Sequence, residues 1–215
     1  METEAFVQEL LAPVTEFCRR LDLKPPAYCY IPLRTDEERI RVMKSRLFNE
    51  LRAADLFGAW LRTTPELDVK ATMAESAHEE MVHAQLLSKR ISDLGAAPFD
   101  YKPLPAQIAM FNAMEGLNDT CERIAALSLA GETVASYLIR MCLSSPDVPE
   151  WIKQPYRKIS ADEEEHGSVP QKFLKRYAST DERQERARRA VAMRMVLFRE
   201  YLESLDRWAM GKDRW

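Results

Sequence analysis

The 215-residue sequence has few glycines and lacks any pair of cysteines in CxxC spacing. Only six glycines are present, and the four cysteines, Cys18, Cys29, Cys121 and Cys142, are far apart in the chain. A rubredoxin-type iron site, a zinc ribbon and a thioredoxin motif are therefore excluded, because each needs closely spaced cysteines. No signal peptide is recognisable at the N-terminus, so we expect reduced thiols in a cytoplasmic protein.

The sequence also lacks a large net charge and a long apolar run. It has 31 basic and 34 acidic residues, which give a formal net charge of −3. That balance gives no excess of positive charge for binding nucleic acid or an anionic membrane surface. No uncharged stretch approaches the roughly 18 apolar residues that a membrane span needs. We therefore expect a soluble protein that binds neither membranes nor nucleic acid.

The apolar residues that are present follow helical spacing. Hydrophobic residues make up 46% of the chain and charged residues 30%, and no segment alternates with the period of two that a strand requires. The pattern predicts an extended connection over 24–33 and helices over about 3–21, 35–62, 64–95, 105–143, 150–177 and 180–210. Residues 1–215 are expected to form a single all-α domain, because the chain contains no linker or low-complexity tract.

The predicted helices between residues 35 and 177 are arranged as two hairpins. Thr35 and Glu38 have the spacing of a capping box at the start of the first hairpin. Short turns are predicted near residues 64 and 147, so each pair of helices should be antiparallel. This is the layout of a four-helix bundle, with its core at about 35–177 and additional helices at both termini.

Two of the three histidines follow the same acidic pattern. Glu79-Glu80-Met81-Val82-His83 and Asp162-Glu163-Glu164-Glu165-His166 both place a second acid three residues before a histidine. Residues at i and i+3 share one face of a helix, so each pair can direct a carboxylate and an imidazole to one point. Oxygen and nitrogen donors that converge from rigid helices are typical of a metal site. The third histidine, His78, is predicted to lie on the surface.

The hairpin geometry predicts a partner for each pair. Counting back across the turns places Glu50 opposite Glu80 and Glu132 opposite Glu163, at separations of 30 and 31 residues. Both partners have apolar neighbours in the sequence, where an unpaired carboxylate is costly. Two further acids compete with Glu132 for this position, namely Glu115 and Glu122. Glu122 lies about 15 Å further along the helix axis, so Glu132 is preferred.

The doubled acid-Glu-x-x-His pattern, with one further Glu for each half, resembles the ferritin-like di-iron carboxylate superfamily, and most closely its oxygen-activating branch. The resemblance implies a ferritin-like four-helix bundle that holds two iron ions, or one manganese and one iron. The metal ligands that it implies are Glu50, Glu80, His83, Glu132, Glu163 and His166. It also implies that Asp162 and Glu79 cross over to orient His83 and His166, and that Ser136 lies near the oxygen-binding side.

The resemblance further implies an enzyme that activates O₂ to hydroxylate or otherwise oxidise a small organic substrate. Electrons would come from a separate ferredoxin or reductase, since the chain contains no reductase domain. The expected walls of the substrate cavity are Phe48, Ala54 and Phe57. The apolar part of the last helix, ending in Trp208 and Trp215, is expected to be exposed and to suit a homodimer contact.

Two alternative functions remain open from the sequence. A ferroxidase or peroxidase of ferritin or rubrerythrin type would use a similar site. The second Glu-x-x-His pair is unusual for a storage ferritin. The chain is unlike rubrerythrin in two ways: it lacks CxxC pairs, and it has Ala135 in place of an additional Glu three residues after Glu132. The other alternative is a helical interaction protein that binds metal without catalysis.

Overall fold

The computed structural model describes residues 3–166 and 168–211, without the side chains of residues 164–166. These residues form eight helices and no strand, which confirms the predicted all-α class. The helices are α1 Thr3–Leu23, α2 Asp36–Trp60, α3 Leu67–Asp93, α4 Pro105–Glu115, α5 Thr120–Ser144, α6 Glu150–His166, α7 Val169–Tyr177 and α8 Asp181–Ala209.

The two predicted hairpins are present. The Thr35 hydroxyl accepts a hydrogen bond from the Glu38 backbone N–H at 3.2 Å, and the Glu38 carboxylate accepts one from the Thr35 N–H at 2.9 Å. This capping box starts α2, which packs along α3 after a short turn at 61–66. The second hairpin consists of α5 and α6, joined at 145–149. These turns position the four acidic segments at the middle of the fold.

The predicted helix over 105–143 is interrupted at residues 116–119. The Asp119 carboxylate accepts a hydrogen bond from the Cys121 N–H at 2.8 Å, and the Glu122 carboxylate accepts one from the Asp119 N–H at 3.2 Å. Short polar residues such as Asn118 and Asp119 bond to the nearby backbone and so favour a new helix start over continuation. The capping box at Asp119 therefore fixes where α5 begins.

Two other predicted segments differ from the structure. The helix predicted over 150–177 ends at His166 and restarts as α7, with Pro170 in the first turn, where a proline is tolerated. The connection over 24–33, predicted to be extended, contains a buried 3₁₀ turn at Ala27–Cys29, followed by Tyr30 at φ 66°.

The last helix, α8, is part of the core and not an outer addition. It contacts α1, α2, α4 and α5. Its apolar stripe is buried, including Val191, Met195, Phe198, Tyr201 and Leu205. Trp208 packs edge-on against Tyr101, with ring centroids 5.5 Å apart. For the described part of this helix the expectation of an exposed apolar face was therefore wrong. Trp215 lies outside the described residues, and the homodimer stays a prediction.

Helix α5 contains an unusual stretch and is the most apolar helix. Residues Ile124–Gly131 are π-helical, and almost all of them are buried. By length and composition α5 could cross a membrane, but 56% of its apolar window is buried inside the fold. Burial of this kind is found in the core helices of soluble proteins, so the helix is weak evidence for a span.

The four cysteines are unpaired and buried, as expected for reduced thiols. Burial raises the pKa of the Cys18 and Cys29 thiols to about 11 and the pKa of the Cys121 and Cys142 thiols to about 12. Since the thiolate is the reactive form, these side chains act as core residues.

Candidate metal centre

Glu50, Glu80 and His83 converge on one buried point between α2 and α3. One donor atom from each lies within 4.8 Å of the donor atoms of the other two. His83 Nδ1 is 3.7 Å from Glu80 Oε2 and 4.0 Å from Glu50 Oε2. The exposed fractions are only 7% for Glu50, 8% for Glu80 and 3% for His83. The helical spacing of Glu80 and His83 therefore serves one site, on the face that packs against α2.

Glu132 on α5 and Glu163 on α6 line cavities beside that point from the second hairpin, together with Glu80. A cavity with about 300 Å³ of empty volume is lined by Ser76, Glu79, Glu80, His83, Glu132, Asp162 and Glu163. The structure thus groups the donor atoms of three predicted ligands, Glu50, Glu80 and His83, and places Glu132 and Glu163 on the walls of the adjoining cavities. The sixth, His166, ends α6, and its side chain lies outside the described residues.

The carboxylates repel one another in this buried position. Burial and the neighbouring Glu50 raise the pKa of Glu80 well above its usual range. Burial and Glu163 do the same to Glu132, and burial and Glu50 raise the pKa of Glu163 to about 7. Like charges at such close range cannot all ionise without a compensating cation. The electrostatics of the cluster therefore favour either protons or a bound cation.

Two atoms of the cluster that could bind a metal ion lack hydrogen-bond partners within the described part of the chain. They are Glu80 Oε2 and His83 Nδ1, and both are buried. Buried polar atoms are nearly always hydrogen-bonded, so an unpaired oxygen and nitrogen at one point need an explanation. A metal ion between them would provide it.

Asp162 holds the far side of the His83 ring. Asp162 Oδ2 lies 3.4 Å from His83 Nε2, and Lys158 forms an ion pair with the other oxygen of the same carboxylate. Burial acts to raise the pKa of Asp162, but the hydrogen bonds from Lys158 and His83 outweigh it and lower that pKa. An ionised Asp162 accepts the Nε2 proton and leaves the Nδ1 lone pair facing Glu50 and Glu80.

The expected contact between Asp162 and His83 across the hairpins is thus present in the structure. The matching contact between Glu79 and His166 falls outside the described residues. Glu79 is partly buried and lines the cluster cavity, and its charge raises the pKa of both Glu132 and Glu163.

The Ser136 hydroxyl donates to Glu163 Oε2 at 3.4 Å, one turn after Glu132. Ser136, Arg140 and Ser160 line a further cavity beside Glu132 and Glu163, with about 740 Å³ of empty volume including its mouth. Ser136 therefore lies between Glu163 and this second cavity.

The three predicted cavity residues have different positions. Phe57 lines a small, mostly apolar pocket that reaches Glu132, together with Met73, Ile124 and Phe173. Phe48 instead packs against Tyr101 and Phe111, with ring centroids 6.0 and 6.1 Å away.

At the neighbouring position, Ala53 and not Ala54 lines the cavity beside Glu50. Ala54 is buried, with 7% exposure, on the adjacent side of α2. Of the three predicted residues, Phe57 lines a pocket next to the carboxylates, whereas Phe48 and Ala54 line neither that pocket nor the cavity beside Glu50.

The rival acids are engaged elsewhere. Glu115 forms an ion pair with Arg52, and Glu122 with Arg186 at 2.9 Å. His78 is exposed, as predicted. None of these side chains reaches the carboxylate cluster.

Sequence reasoning missed Arg46, which supports Glu50. Its Nη2 lies 3.5 Å from Glu50 Oε1, and its guanidinium stacks over the rings of Tyr28 and Tyr156, 4.3 and 5.0 Å from their centroids. Arg46 is only 2% exposed. It precedes Glu50 by four residues, and a basic residue at that spacing from a buried acid is a signal that the sequence did contain.

Sequence reasoning also missed Arg194 on α8. This residue is 5% exposed, and its guanidinium lies 4.7 Å from the centroid of the Phe198 ring. Together with Arg46 and the four glutamates it lines a cavity with about 500 Å³ of empty volume. No sequence spacing relates Arg194 to the acidic motifs, so only the packing of α8 identifies it.

Comparison with known proteins assigns the helical arrangement. No family model and no curated sequence matches the chain. It is similar to the crystal structure of a domain of unknown function with a heme oxygenase-like fold from Shewanella denitrificans OS217. The TM-score is 0.75 at 15% identity, covering 99% of this chain and 94% of that chain.

Two further solved structures are similar over nearly the whole chain. A TenA homologue from Pyrococcus furiosus has a TM-score of 0.75 at 16% identity, covering 93% of this chain and 99% of that one. A CADD-like protein of unknown function from Nostoc punctiforme PCC 73102 has a TM-score of 0.62 at 13% identity, covering 97% and 99%. These likenesses show an all-helical fold of the heme oxygenase-like and TenA kind. They do not confirm the ferritin-like bundle.

Proposed function

We propose that the chain binds two iron ions in the carboxylate cluster and uses O₂ to oxidise a small organic substrate. The supporting observation is the pair of buried, unpartnered donor atoms on Glu80 and His83, faced by Glu132 and Glu163 from the second hairpin. The residues that would hold the metals are Glu50, Glu80, His83, Glu132, Glu163 and His166.

The residues present fit this metal pair. Carboxylate oxygens and imidazole nitrogens suit iron and manganese, so both Fe/Fe and Mn/Fe are compatible with the set. The raised pKa values of Glu80, Glu132 and Glu163 mean that these carboxyls hold protons in the absence of a cation, which would displace those protons on binding.

The side chains around the cluster have separable roles. Asp162 fixes the His83 ring so that Nδ1 faces inward, and Arg46 fixes one oxygen of Glu50. The pocket at Phe57 borders one side of Glu132 with mostly apolar side chains. When bound, the iron pair would supply the electrons that reduce O₂, and a separate ferredoxin or reductase would replace them.

The ligand pattern and the fold have different resemblances. The paired Glu-x-x-His motifs resemble the ferritin-like di-iron superfamily, whereas the similar solved structures are named as heme oxygenase-like and TenA. We infer that this chain supports a ligand set of the first kind on a helical fold of the second kind. Two antiparallel hairpins with facing acids are sufficient for that arrangement, whichever way the outer helices pack.

The test is anaerobic loading with iron(II), followed by measurement of metal content and of O₂ consumption. We expect two metals per wild-type chain, and loss of metal in Glu80→Ala and His166→Ala. Glu164→Ala, which changes an acid next to the motif, should retain both metals. If the wild type binds no metal, or if both ligand variants retain full metal content, the proposal is wrong. O₂ consumption without oxidation of any organic compound would favour the ferroxidase alternative.

A further inference from the structure

A second feature of the site is the cavity on the side of the carboxylates that faces α8. Its polar residues are the four described glutamates, Asn49, Arg46 and Arg194, and its apolar walls are Tyr28, Ala53, Phe111, Leu127, Ala135 and Phe198. A cavity with an apolar body and a few fixed polar groups is the usual form of a small-molecule site.

Arg194 is the unexplained residue of this cavity. Its Nε and Nη1 are buried and have no hydrogen-bond partner within the described part of the chain. Burying an unpaired charge is costly, so such groups are normally paired or used for binding. Burial lowers the pKa of Arg194 to about 10, which still leaves the guanidinium charged at neutral pH.

The other arginines nearby are already engaged. Arg46 contacts Glu50 and lies over Tyr28 and Tyr156. Arg188, earlier on α8, pairs with Glu9 at 2.7 Å. Arg194 differs from both, because its Nε and Nη1 have no hydrogen-bond partner in the described part of the chain and its guanidinium stacks on the Phe198 ring at 4.7 Å. Arg46 Nε also lacks a partner, but Arg46 Nη2 contacts Glu50, whereas both Nε and Nη1 of Arg194 are unpartnered within the described residues.

The backbone opposite Arg194 makes room for the guanidinium. A Cβ atom on Gly131 would lie 3.0 Å from Arg194 Nη2, 3.2 Å from Nε and 3.3 Å from the Ala126 carbonyl oxygen. Any larger residue at position 131 would therefore displace the Arg194 guanidinium from its place beside the backbone that precedes Glu132. The glycine allows a positive charge to sit close to the cluster without bonding to it.

We propose that Arg194 binds the carboxylate of a small organic acid whose apolar body packs against Tyr28, Phe111 and Phe198. Guanidinium donors match a carboxylate in geometry and charge, and the hydrogen bonds are charge-assisted. A phosphate fits less well, because it carries more charge and the walls already contain four glutamates. The inference rests on the proposed function only for the chemistry that would follow binding.

A structural role for Arg194 predicts a different behaviour. If Arg194 served to balance the charge of Glu132, its removal would destabilise the protein. Removing an unpartnered buried charge has the opposite effect, because a neutral side chain of similar shape avoids the desolvation cost. Arg194→Gln should therefore have a melting temperature equal to or above that of the wild type, while binding of the acid is lost.

The experiment is calorimetric titration of benzoate and hexanoate, with benzamide and hexanamide as uncharged matches and inorganic phosphate as a second anion. The proteins are the wild type, Arg194→Gln, Arg194→Lys and Gly131→Ala. Arg189→Gln is the matched control, since Arg189 lies on the same helix with 66% of its side chain exposed. Each protein is titrated both metal-free and loaded anaerobically with iron(II).

We expect at least one acid to bind the wild type and to bind Arg194→Gln about 10-fold more weakly or worse, the loss typical of a charge-assisted hydrogen bond. Gly131→Ala should weaken binding and Arg194→Lys should retain part of it. Arg189→Gln should match the wild type, and the amides should bind poorly.

Equal affinity of wild type and Arg194→Gln, or no binding of either acid to the wild type, would overturn the assignment. Phosphate binding as tight as that of the acids would overturn the carboxylate class. The metal content of each sample reports separately on the proposed function. Acid binding that depends on Arg194 in a protein without metal would retain this inference and reject the di-iron proposal.

Discussion

His83 Nε2 lies 3.4 Å from Asp162 Oδ2, so a residue of the second hairpin orients a predicted ligand of the first. This contact links the two halves of the cluster. A change at Asp162 should therefore alter the orientation or protonation of His83 Nδ1, which faces Glu50 and Glu80.

Asp162→Asn should weaken metal binding without unfolding the protein. The amide keeps the size of the side chain but no longer fixes which His83 nitrogen carries the proton. Loss of such an orienting partner typically costs 10- to 100-fold in metal affinity. Metal titration of the variant and of the surface control Asp147→Asn measures the effect, and equal affinities would contradict the assigned role of Asp162.

Glu80→Gln should stabilise the metal-free protein and lower its metal content. Burial and Glu50 raise the pKa of Glu80, which shows that its charged form is disfavoured in the folded chain. A neutral amide should add about 1 kcal/mol to the free energy of unfolding of the metal-free protein at pH 8. Thermal unfolding and metal analysis on the same samples would give the two readouts.

Glu122→Ala is the matched comparison for Glu80→Gln. Glu122 caps α5 and pairs with Arg186, away from the cluster. Its loss should lower the free energy of unfolding by about 1 kcal/mol, as expected for a helix cap, and leave metal content unchanged. Loss of metal in this variant would return Glu122 to the list of ligand candidates.

The metal-free protein should become less stable as pH rises from about 5 to 8. Glu163 titrates at about 7 in the folded chain, above the roughly 4.3 of an unfolded glutamate. Between those values the folded state holds a proton that the unfolded state has released, so stability is full below the unfolded pKa and falls as pH rises through 7. Glu80 and Glu132 act in the same direction.

Bound metal should reverse that trend, because metal binding requires the ionised carboxylates. Urea unfolding at several pH values, with and without iron(II) under anaerobic conditions, tests both statements. Stability of the metal-free protein that rises with pH over this range would show that the carboxylates are not protonated in the folded state.

Ser136→Ala should shift the pH range of metal binding upward and keep the number of metals. The Ser136 hydroxyl donates to Glu163 and so favours its charged form. Without that bond the pKa of Glu163 should rise, and a higher pH is then needed to free the carboxylate. Ser160→Ala, in the same cavity, is the control. An unchanged pH midpoint would remove Ser136 from the site.

The sequence was sufficient to place Glu50, Glu80 and His83 together, because their positions depend on local rules. Glu80 and His83 share a helix face through their spacing, and a hairpin with a short turn places Glu50 opposite them. Counting residues back across the second turn located Glu132 in the same way, because the chain is regularly α-helical from Glu132 to Ser144. The irregular turns of α5 all precede that residue.

The residues that were missed depend on tertiary packing. Arg194 approaches the cluster only because α8 lies in the core, and the apolar stripe of α8 is equally compatible with an outer helix or a dimer contact. The break at 116–119 was missed because the periodic pattern continues on both sides of it. Capping by Asp119 outweighs that continuity.

The π-helical stretch Ile124–Gly131 has a consequence for how this chain can change through evolution. Wide turns of this kind arise when one residue is inserted into an α-helix, and they are frequent at functional sites. Deleting one residue there would restore a regular helix and rotate Glu132 by about 100° relative to the Asp119 cap. Length changes should therefore be tolerated in the connection at 94–104 and selected against in the eight residues before Glu132.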